Sequence, residues 1–463
     1  MAENNIFEGI KKIYLIGIGG IGMSGIAEYL AKKGFEVSGS DLNMTHITRR
    51  LLKFDVKIFE GHEGSNLPDD TELVIYSAAV NDDNEELKKA ISLKMKMVKR
   101  AEALGSIVND KFVIAVSGTH GKTTTTAMIA KSLIESKIDP TVFVGGNIDY
   151  LDGGSSRIGK SNVAVVEADE YDRSFLQLRS NIIIVTNIDA DHLDVFKDID
   201  DIKDNFRKFI ERGKPNCKVI GCGDNENVVE VIKDLKNKTT YGFKKSNEHI
   251  VKDVNYQKKS SSYVLDRDYI DLKVLGDHNI LNSAAAYLAC KEYGITDEGF
   301  TESMKTFTGV KRRLELKYSE GIKIYDDYAH HPEEVKATLS AMKRITQGRI
   351  VTVFQPHLYT RTRDFYKQFG EAFSGTDVLL LAKIYPAREK EIEGVSSEMI
   401  LEEYKKSGRT GLYIEDKEKI LDELESIIKD DDVIVFQGAG DITDLCTKFV
   451  KRMKAKSGKG VPL

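Results

Sequence analysis

The run F-V-I-A-V-S-G-T-H-G-K-T-T-T-T, Phe112 to Thr126, decides how this chain is read. Phe112–Val116 has the length and apolar, β-branched content of a buried strand. Glycines follow at 118 and 121, and the chain then resumes in a helix-compatible pattern. Strand, glycine turn and helix in that order bring backbone N–H groups and a helix N-terminus around an anion. Lys122 adds a point charge, and the Thr123 hydroxyl can reach Mg²⁺. The general phosphate-loop pattern asks for a glycine five residues before Gly121, where Val116 stands. G-K-T-T nevertheless signals a nucleoside triphosphate, against the plainer reading of a glycine turn with an exposed lysine.

Outward from this loop, short apolar runs alternate with longer helical patterns. Expected strands are Ile13–Ile16, Glu36–Gly39, Leu73–Tyr76, Phe112–Val116, Val163–Val166, Ile182–Thr186 and Lys218–Cys222. Later ones are Ile322–Tyr325, Ile350–Phe354, Val378–Ala382 and Asp432–Phe436. Many are apolar throughout rather than alternating, as in parallel strands covered on both faces, so the fold class is α/β. The strand series restarts twice, which sets boundaries near Asn109 and Lys311. We expect three domains, 1–108, 109–311 and 312–463. The polar stretch from Asn247 to Asp271 reads as a hairpin insert, and the C-terminal K-A-K-S-G-K-G-V-P-L as a frayed tail.

A first glycine cluster, G-I-G-G-I-G-M-S-G from Gly17 to Gly25, also follows a strand and opens a helix. Gly17, Gly19, Gly20, Ile21 and Gly22 can bring backbone against a pyrophosphate, with Asp41 about 20 residues on. Alone, this motif favours a nicotinamide dinucleotide, or a tight turn with no ligand. A second, different phosphate loop argues against a dehydrogenase.

Two acidic stretches sit at strand ends behind the second loop. E-A-D-E-Y-D supplies Glu167, Asp169, Glu170 and Asp172, a hard-cation donor set or a solvated turn. N-I-D-A-D-H-L-D, Asn187 to Asp194, contains His192, which could complete a metal shell or cap a core element.

The chain has 463 residues, 41% hydrophobic and 30% charged, with a net charge of −5. This is a globular balance with no basic surplus for nucleic acid. No apolar run of about 18 residues marks a membrane span, and the polar N-terminus has no signal core. Four cysteines without C-x-x-C spacing read as free thiols in a reducing compartment. We expect a cytoplasmic protein, without nucleic-acid partners or membrane insertion, as a monomer or homodimer.

In order along the chain, seven motifs resemble the Mur ligases, from about Lys12 to Asp441. S-G-T-H-G-K-T-T, V-E-A-D-E, T-N-I-D-A-D-H and G-D-H-N-I-L-N (Gly276 to Asn282) resemble the family's central domain. D-D-Y-A-H-H-P (Asp326 to Pro332) and F-Q-P-H-L-Y-T-R-T-R (Phe354 to Arg363) resemble the C-terminal domain of members that add alanine. The first glycine cluster resembles their UDP-binding domain.

The resemblance implies a Rossmann-like UDP domain, a P-loop ATPase-like domain and a Rossmann-like C-terminal domain that closes on ATP. It implies an ATP-dependent, ADP-forming, amide-forming ligase of peptidoglycan precursor synthesis. Its substrates would be ATP, L-alanine and UDP-N-acetylmuramate, with two Mg²⁺. Gly17, Gly19, Gly20, Ile21, Gly22, Asp41, His62 and Ser77 would then serve the UDP-sugar. Gly118, Thr119, His120, Gly121, Lys122, Thr123 and Thr124 would hold ATP phosphates. Asn279 and Asn282 would serve the adenine end, Arg313 the γ-phosphate and Asp327 the ribose. Thr123, Glu167 and His192 would hold metal, while Tyr328, His357 and Arg361 would hold the amino acid. Lys122, Glu167, His192, Arg313 and His331 form the implied catalytic set, with Glu170 or His331 as the base for the amine.

The sequence departs from the family pattern at Leu358, where arginine is usual, at Arg388, usually glycine, and at Asp189, usually glutamate. Three other readings stay open at this level. They are a sister ligase attaching a preformed peptide to the same UDP-sugar, a nucleotide-binding regulator without ligase chemistry, and a nicotinamide oxidoreductase.

Overall fold

The computed structural model describes residues 5–151, 154–191, 195–257, 260–387 and 389–456. His192, Arg388 and most of the C-terminal tail lie outside the described residues.

Among the described residues, three sheets organise the fold. The first contains β1 (Lys12–Ile16), β2 (Glu36–Asp41), β3 (Lys57–Glu60), β4 (Leu73–Tyr76) and β5 (Lys96–Lys99), in the order β3-β2-β1-β4-β5. All of its pairings are parallel.

The second sheet begins with β6 (Phe112–Ser117), β7 (Thr141–Ile148), β8 (Gly154–Arg157), β9 (Val163–Glu167) and β10 (Ile182–Val185). It continues with β11 (Lys218–Cys222), β12 (Lys238–Gly242), β13 (His249–Tyr256), β14 (Ser261–Leu265) and β15 (Asp268–Leu272). The order is β15-β14-β13-β12-β11-β10-β6-β9-β7-β8, so the strand carrying the phosphate loop lies between the two strands that carry acidic motifs. The expected hairpin insert is a three-stranded meander, because 266–267 make a second turn inside it.

The third sheet contains β16 (Glu315–Glu320), β17 (Ile322–Asp327), β18 (Ile350–Phe354), β19 (Val378–Leu381), β20 (Gly411–Tyr413) and β21 (Val433–Gln437). Its order is β16-β17-β21-β18-β19-β20, parallel except for β16 on β17.

The unbroken apolar strands are explained by two-sided burial. Ile13 and Leu15 of β1 enter one core with Val37, Leu73 and Ile75, while Tyr14 and Ile16 enter another with Val74. In the third sheet Ile350, Leu379 and Val433 face one core, and Val351, Leu380 and Ile434 face the other. Successive side chains alternate in direction, so a strand covered on both faces favours apolar residues throughout, and a polar one such as Thr352 finds a buried partner in Thr376.

By internal contacts the chain forms two compact units. One comprises 1–252, 264–270 and 281–305, and the other 253–263, 271–280 and 306–463. Among the described residues, no helix is long and apolar enough to cross a membrane.

Candidate active site

In the first unit, β6 ends at Ser117 and the helix Lys122–Glu135 starts five residues later. The turn between them requires glycine twice. Gly118 has φ +127° and Gly121, the N-cap, φ +85°. A Cβ on Gly118 would strike Thr186 Oγ1, and one on Gly121 would strike Asn282 Oδ1. These positions exclude side chains by both conformation and space.

The loop is pinned by the segment after β10. The Thr119 N–H donates to the Asn187 carbonyl at 3.1 Å, and the His120 N–H to Asn187 Oδ1 at 2.7 Å. The Thr186 hydroxyl and the Asn187 amide both donate to the His120 carbonyl, at 2.6 and 3.1 Å. The Asp189 N–H donates to Thr119 Oγ1 at 2.9 Å. The T-N-I-D motif therefore shapes the phosphate loop, a role local spacing could not reveal.

Lys122 and Thr123, on the first turn of the helix, face the acids that end β9. Lys122 Nζ donates to Glu170 at 2.8 Å and to the carbonyls of Gly118 and Thr119 at 2.6 and 3.1 Å. Burial opposes the ammonium charge, but Glu170 and Asp169 outweigh it and hold the lysine above its ordinary pKa. The Thr123 hydroxyl donates to Glu167 Oε1 at 3.1 Å, and the Gly145 N–H donates to the other oxygen at 2.6 Å. Burial raises the Glu167 pKa, with Lys122 pulling it back. Thr124 is buried on the same turn.

The first glycine cluster is braced from below. Gly17 has φ +77°, and the Gly19 N–H donates to Asp41 Oδ2 at 2.8 Å. A Cβ on Gly19 would lie 2.8 Å from that oxygen and 2.9 Å from Thr48 Cγ2. Gly20 caps the helix Ile21–Lys32 without a side-chain bond. Asp41 thus holds the loop itself. His62 Nδ1 lies 2.9 Å from Ser40 Oγ and 3.1 Å from Glu86 Oε2. Glu86 is fully buried and also accepts from Tyr14 at 2.6 Å and Ser40 at 2.6 Å. Ser77 lies beside Gly17 and accepts from the Ala79 N–H at 3.3 Å.

The second unit gathers the implied C-terminal residues. Arg313 Nη1 lies 3.2 Å from Glu334 Oε1, and its guanidinium sits over the Tyr328 ring at 5.1 Å. Arg312 lies over the same ring at 4.9 Å, so Tyr328 is held by two cations. Asp327 accepts from the Leu314 N–H at 3.1 Å, the Thr338 hydroxyl at 2.6 Å and the Gln437 amide at 3.3 Å. His331 caps the helix Pro332–Ile345, accepting from the Glu333 N–H at 3.4 Å, and meets Phe365 edge-on. His357 stacks on Tyr385 with centroids 5.7 Å apart, and Arg361 is buried. Leu358 takes φ +72°, strained for a branched side chain, at the N-cap of the helix Tyr359–Ala372. Asn279 donates to the Leu275 carbonyl at 2.7 Å.

Sequence reasoning passed over His278, which is half-buried in this unit near Asp327 and Arg313. Burial lowers its pKa, Arg313 adds to that, and Asp327 and Asp277 oppose it. A cavity of about 270 Å³ is lined by His278, Asp277, Glu333, Lys336, Ser340 and Arg344 among others.

A phosphate loop with a neighbouring strand-end carboxylate, in a chain with two further sheets that are wholly or mostly parallel, defines an α/β nucleotide-binding protein. Family profiles specify it further: "Mur ligase family, catalytic domain" matches residues 12–112, "Mur ligase middle domain" 116–290, and "Mur ligase, glutamate ligase domain" 312–440. This chain belongs to the Mur ligase family.

Among its relatives, a UDP-N-acetylmuramate–L-alanine ligase from Acetivibrio thermocellus is 43% identical over 95% of this chain and 96% of its own. A protein of the same name from Geotalea daltonii is 41% identical over 96% and 98%. The crystal structure of a UDP-N-acetylmuramate-alanine ligase from Thermotoga maritima superposes with a TM-score of 0.82, at 30% identity, over 96% of this chain and 99% of that one. A murein peptide ligase from Psychrobacter arcticus shares the fold, with a TM-score of 0.72 at 22% identity over 98% and 100%.

Proposed function

We propose that this protein joins L-alanine to the lactyl carboxylate of UDP-N-acetylmuramate at the expense of ATP, in peptidoglycan precursor synthesis in the cytoplasm. The reading is carried by the Gly118–Thr123 loop, with Glu167 3.1 Å from the Thr123 hydroxyl, in a chain 43% identical to a ligase of that name.

A carboxylate does not acylate an amine at neutral pH, because oxide is a poor leaving group. The lactyl carboxylate therefore attacks the γ-phosphorus, the bond to ADP breaks, and an acyl phosphate forms. The alanine amine, after losing a proton, attacks the acyl carbon and inorganic phosphate leaves. Both partners in the first step are anions, so the protein's work is positioning and charge compensation.

Lys122 would exchange Glu170 and two loop carbonyls for phosphate oxygens. The Gly118–Thr123 backbone would cradle the phosphates at the helix N-terminus. Arg313 is assigned to the γ-phosphate. Asp327, tied down by three donors, would offer its remaining acceptor capacity to the ribose. Thr123 and Glu167 present hard oxygens 3.1 Å apart, a donor set that fits Mg²⁺. Bound there, Mg²⁺ would neutralise charge on the phosphates. Of the two bases considered, Glu170 is committed to Lys122 and His331 Nδ1 to a helix cap, so either must exchange a partner before taking a proton.

The test is phosphate release from ATP and Mg²⁺ with UDP-N-acetylmuramate, with and without L-alanine. Release requiring both, with a product heavier by one alanyl unit, is the expected result. Release with a tripeptide but not alanine would move the chain to the peptide-adding branch. No release from folded protein would overturn the ligase reading.

A further inference from the structure

We propose that Arg100 binds the UDP-linked substrate, its guanidinium taking an anionic oxygen of that ligand at the first turn of the helix Ile21–Lys32. The inference rests on the reading of Gly17–Gly22 as the cradle of the UDP-sugar.

Arg100 follows β5 and opens the helix Arg100–Val108, 78 positions away from Gly22 in sequence. Its Nη1 lies 3.0 Å, and its Cζ 3.5 Å, from where a Cβ on Gly22 would be. The glycine is what lets a planar guanidinium lie against the backbone of the helix's first turn. That turn holds no acidic residue, and Gly20 supplies no side-chain cap. The guanidinium thus lies against the side of a helix's first turn, and an anion placed there would meet both the guanidinium and the positive end of the helix.

The neighbouring carboxylate sits at the outer limit of an ion pair. Arg100 Nη2 is 4.0 Å from Asp169 Oδ2 and 3.4 Å from the Ser174 hydroxyl, with the side chain 22% exposed. Lys99, one residue earlier, is by contrast closely paired with Asp172 at 2.8 Å. Arg100, with contacts at 3.4 and 4.0 Å, keeps donors for another acceptor. A guanidinium fork suits the paired oxygens of a phosphate or carboxylate. The UDP-sugar carries both, in its diphosphate and its lactyl group.

Calorimetric titration of wild type, Arg100→Gln and Arg100→Lys with UDP, UDP-N-acetylglucosamine, UDP-N-acetylmuramate and ATP tests this. Arg100→Gln should lose about 10- to 100-fold in affinity for the UDP-linked substrate. Arg100→Lys should recover part of it, and ATP affinity should stay within about two-fold. Equal losses for all three UDP ligands assign the contact to the diphosphate. A loss confined to UDP-N-acetylmuramate assigns it to the lactyl carboxylate, which the glucosamine analogue lacks. Unchanged affinity for every UDP ligand overturns the proposal. So does a parallel loss for ATP with a lowered melting temperature, which would make Arg100 a strut. If wild type binds no UDP ligand, the cradle reading itself fails.

Discussion

Lys122 and Glu170 form an ion pair at 2.8 Å within the phosphate loop, with side chains only 13% and 4% exposed. The lysine assigned to ATP is thus also the counter-charge of a buried carboxylate. Lys122→Met should lower turnover about 10²- to 10³-fold, as loss of a transition-state donor does. It should also cost about 3–5 kcal/mol of stability, because it removes the counter-charge of a buried carboxylate. The Lys122→Met/Glu170→Gln double variant should regain most of the melting temperature and none of the turnover. Recovery of both would remove Lys122 from the chemistry.

Asp41 holds the Gly19 N–H at 2.8 Å, so its effect on ligand is through the loop. Asp41→Ala should weaken UDP binding by about ten-fold, the scale of one charge-assisted hydrogen bond. ATP affinity should not change. Titration of the two nucleotides separately checks this, and an equal loss for both would count against it.

Arg313 combines an ion pair to Glu334 with a cation–π contact to Tyr328. Arg313→Gln should reduce kcat about 10²- to 10³-fold. Arg313→Lys should restore only part, since an ammonium cannot fork to two oxygens while covering the ring. Steady-state kinetics in ATP decide the matter; a change in KM alone would assign Arg313 to ground-state binding.

His278 supplies a pH dependence. Its folded pKa is lowered from 6.5, chiefly by burial, so between that lowered value and 6.5 the unfolded chain binds the proton and the folded one does not. Stability from this group is full above about 6.5 and falls as pH drops through the window beneath it. The melting temperature of wild type should therefore decline below pH 6.5 more steeply than that of His278→Asn. Parallel curves would mean that Asp327 and Asp277 cancel the effect of burial.

The legible part of the fold was its interior. Strands β1, β4, β6, β9, β11, β17 and β18 were readable because two-sided burial leaves an apolar run. The edge strands β3, β5 and β20 were not. Lys57–Glu60 and Lys96–Lys99 carry charges at both ends, and Gly411–Tyr413 is three residues long, as edges that must not pair further tend to be. Interior β7 escaped because two glycines interrupt it, and β12 because Lys238 and two threonines hide its run.

What the sequence determined by itself was the local chemistry. Positive φ at Gly17, Gly118 and Gly121, helix starts behind them, and oxygen donors at strand ends all follow from neighbours within a few residues. Only the tertiary structure decided which side chains share a charge. Glu170 meets Lys122 across 48 residues, Glu86 meets Tyr14 across 72, and Asn187 reaches His120 across 67. Parallel strands are joined by long crossovers, so residues adjacent in the sheet are distant in the chain. No spacing rule within a motif can report them.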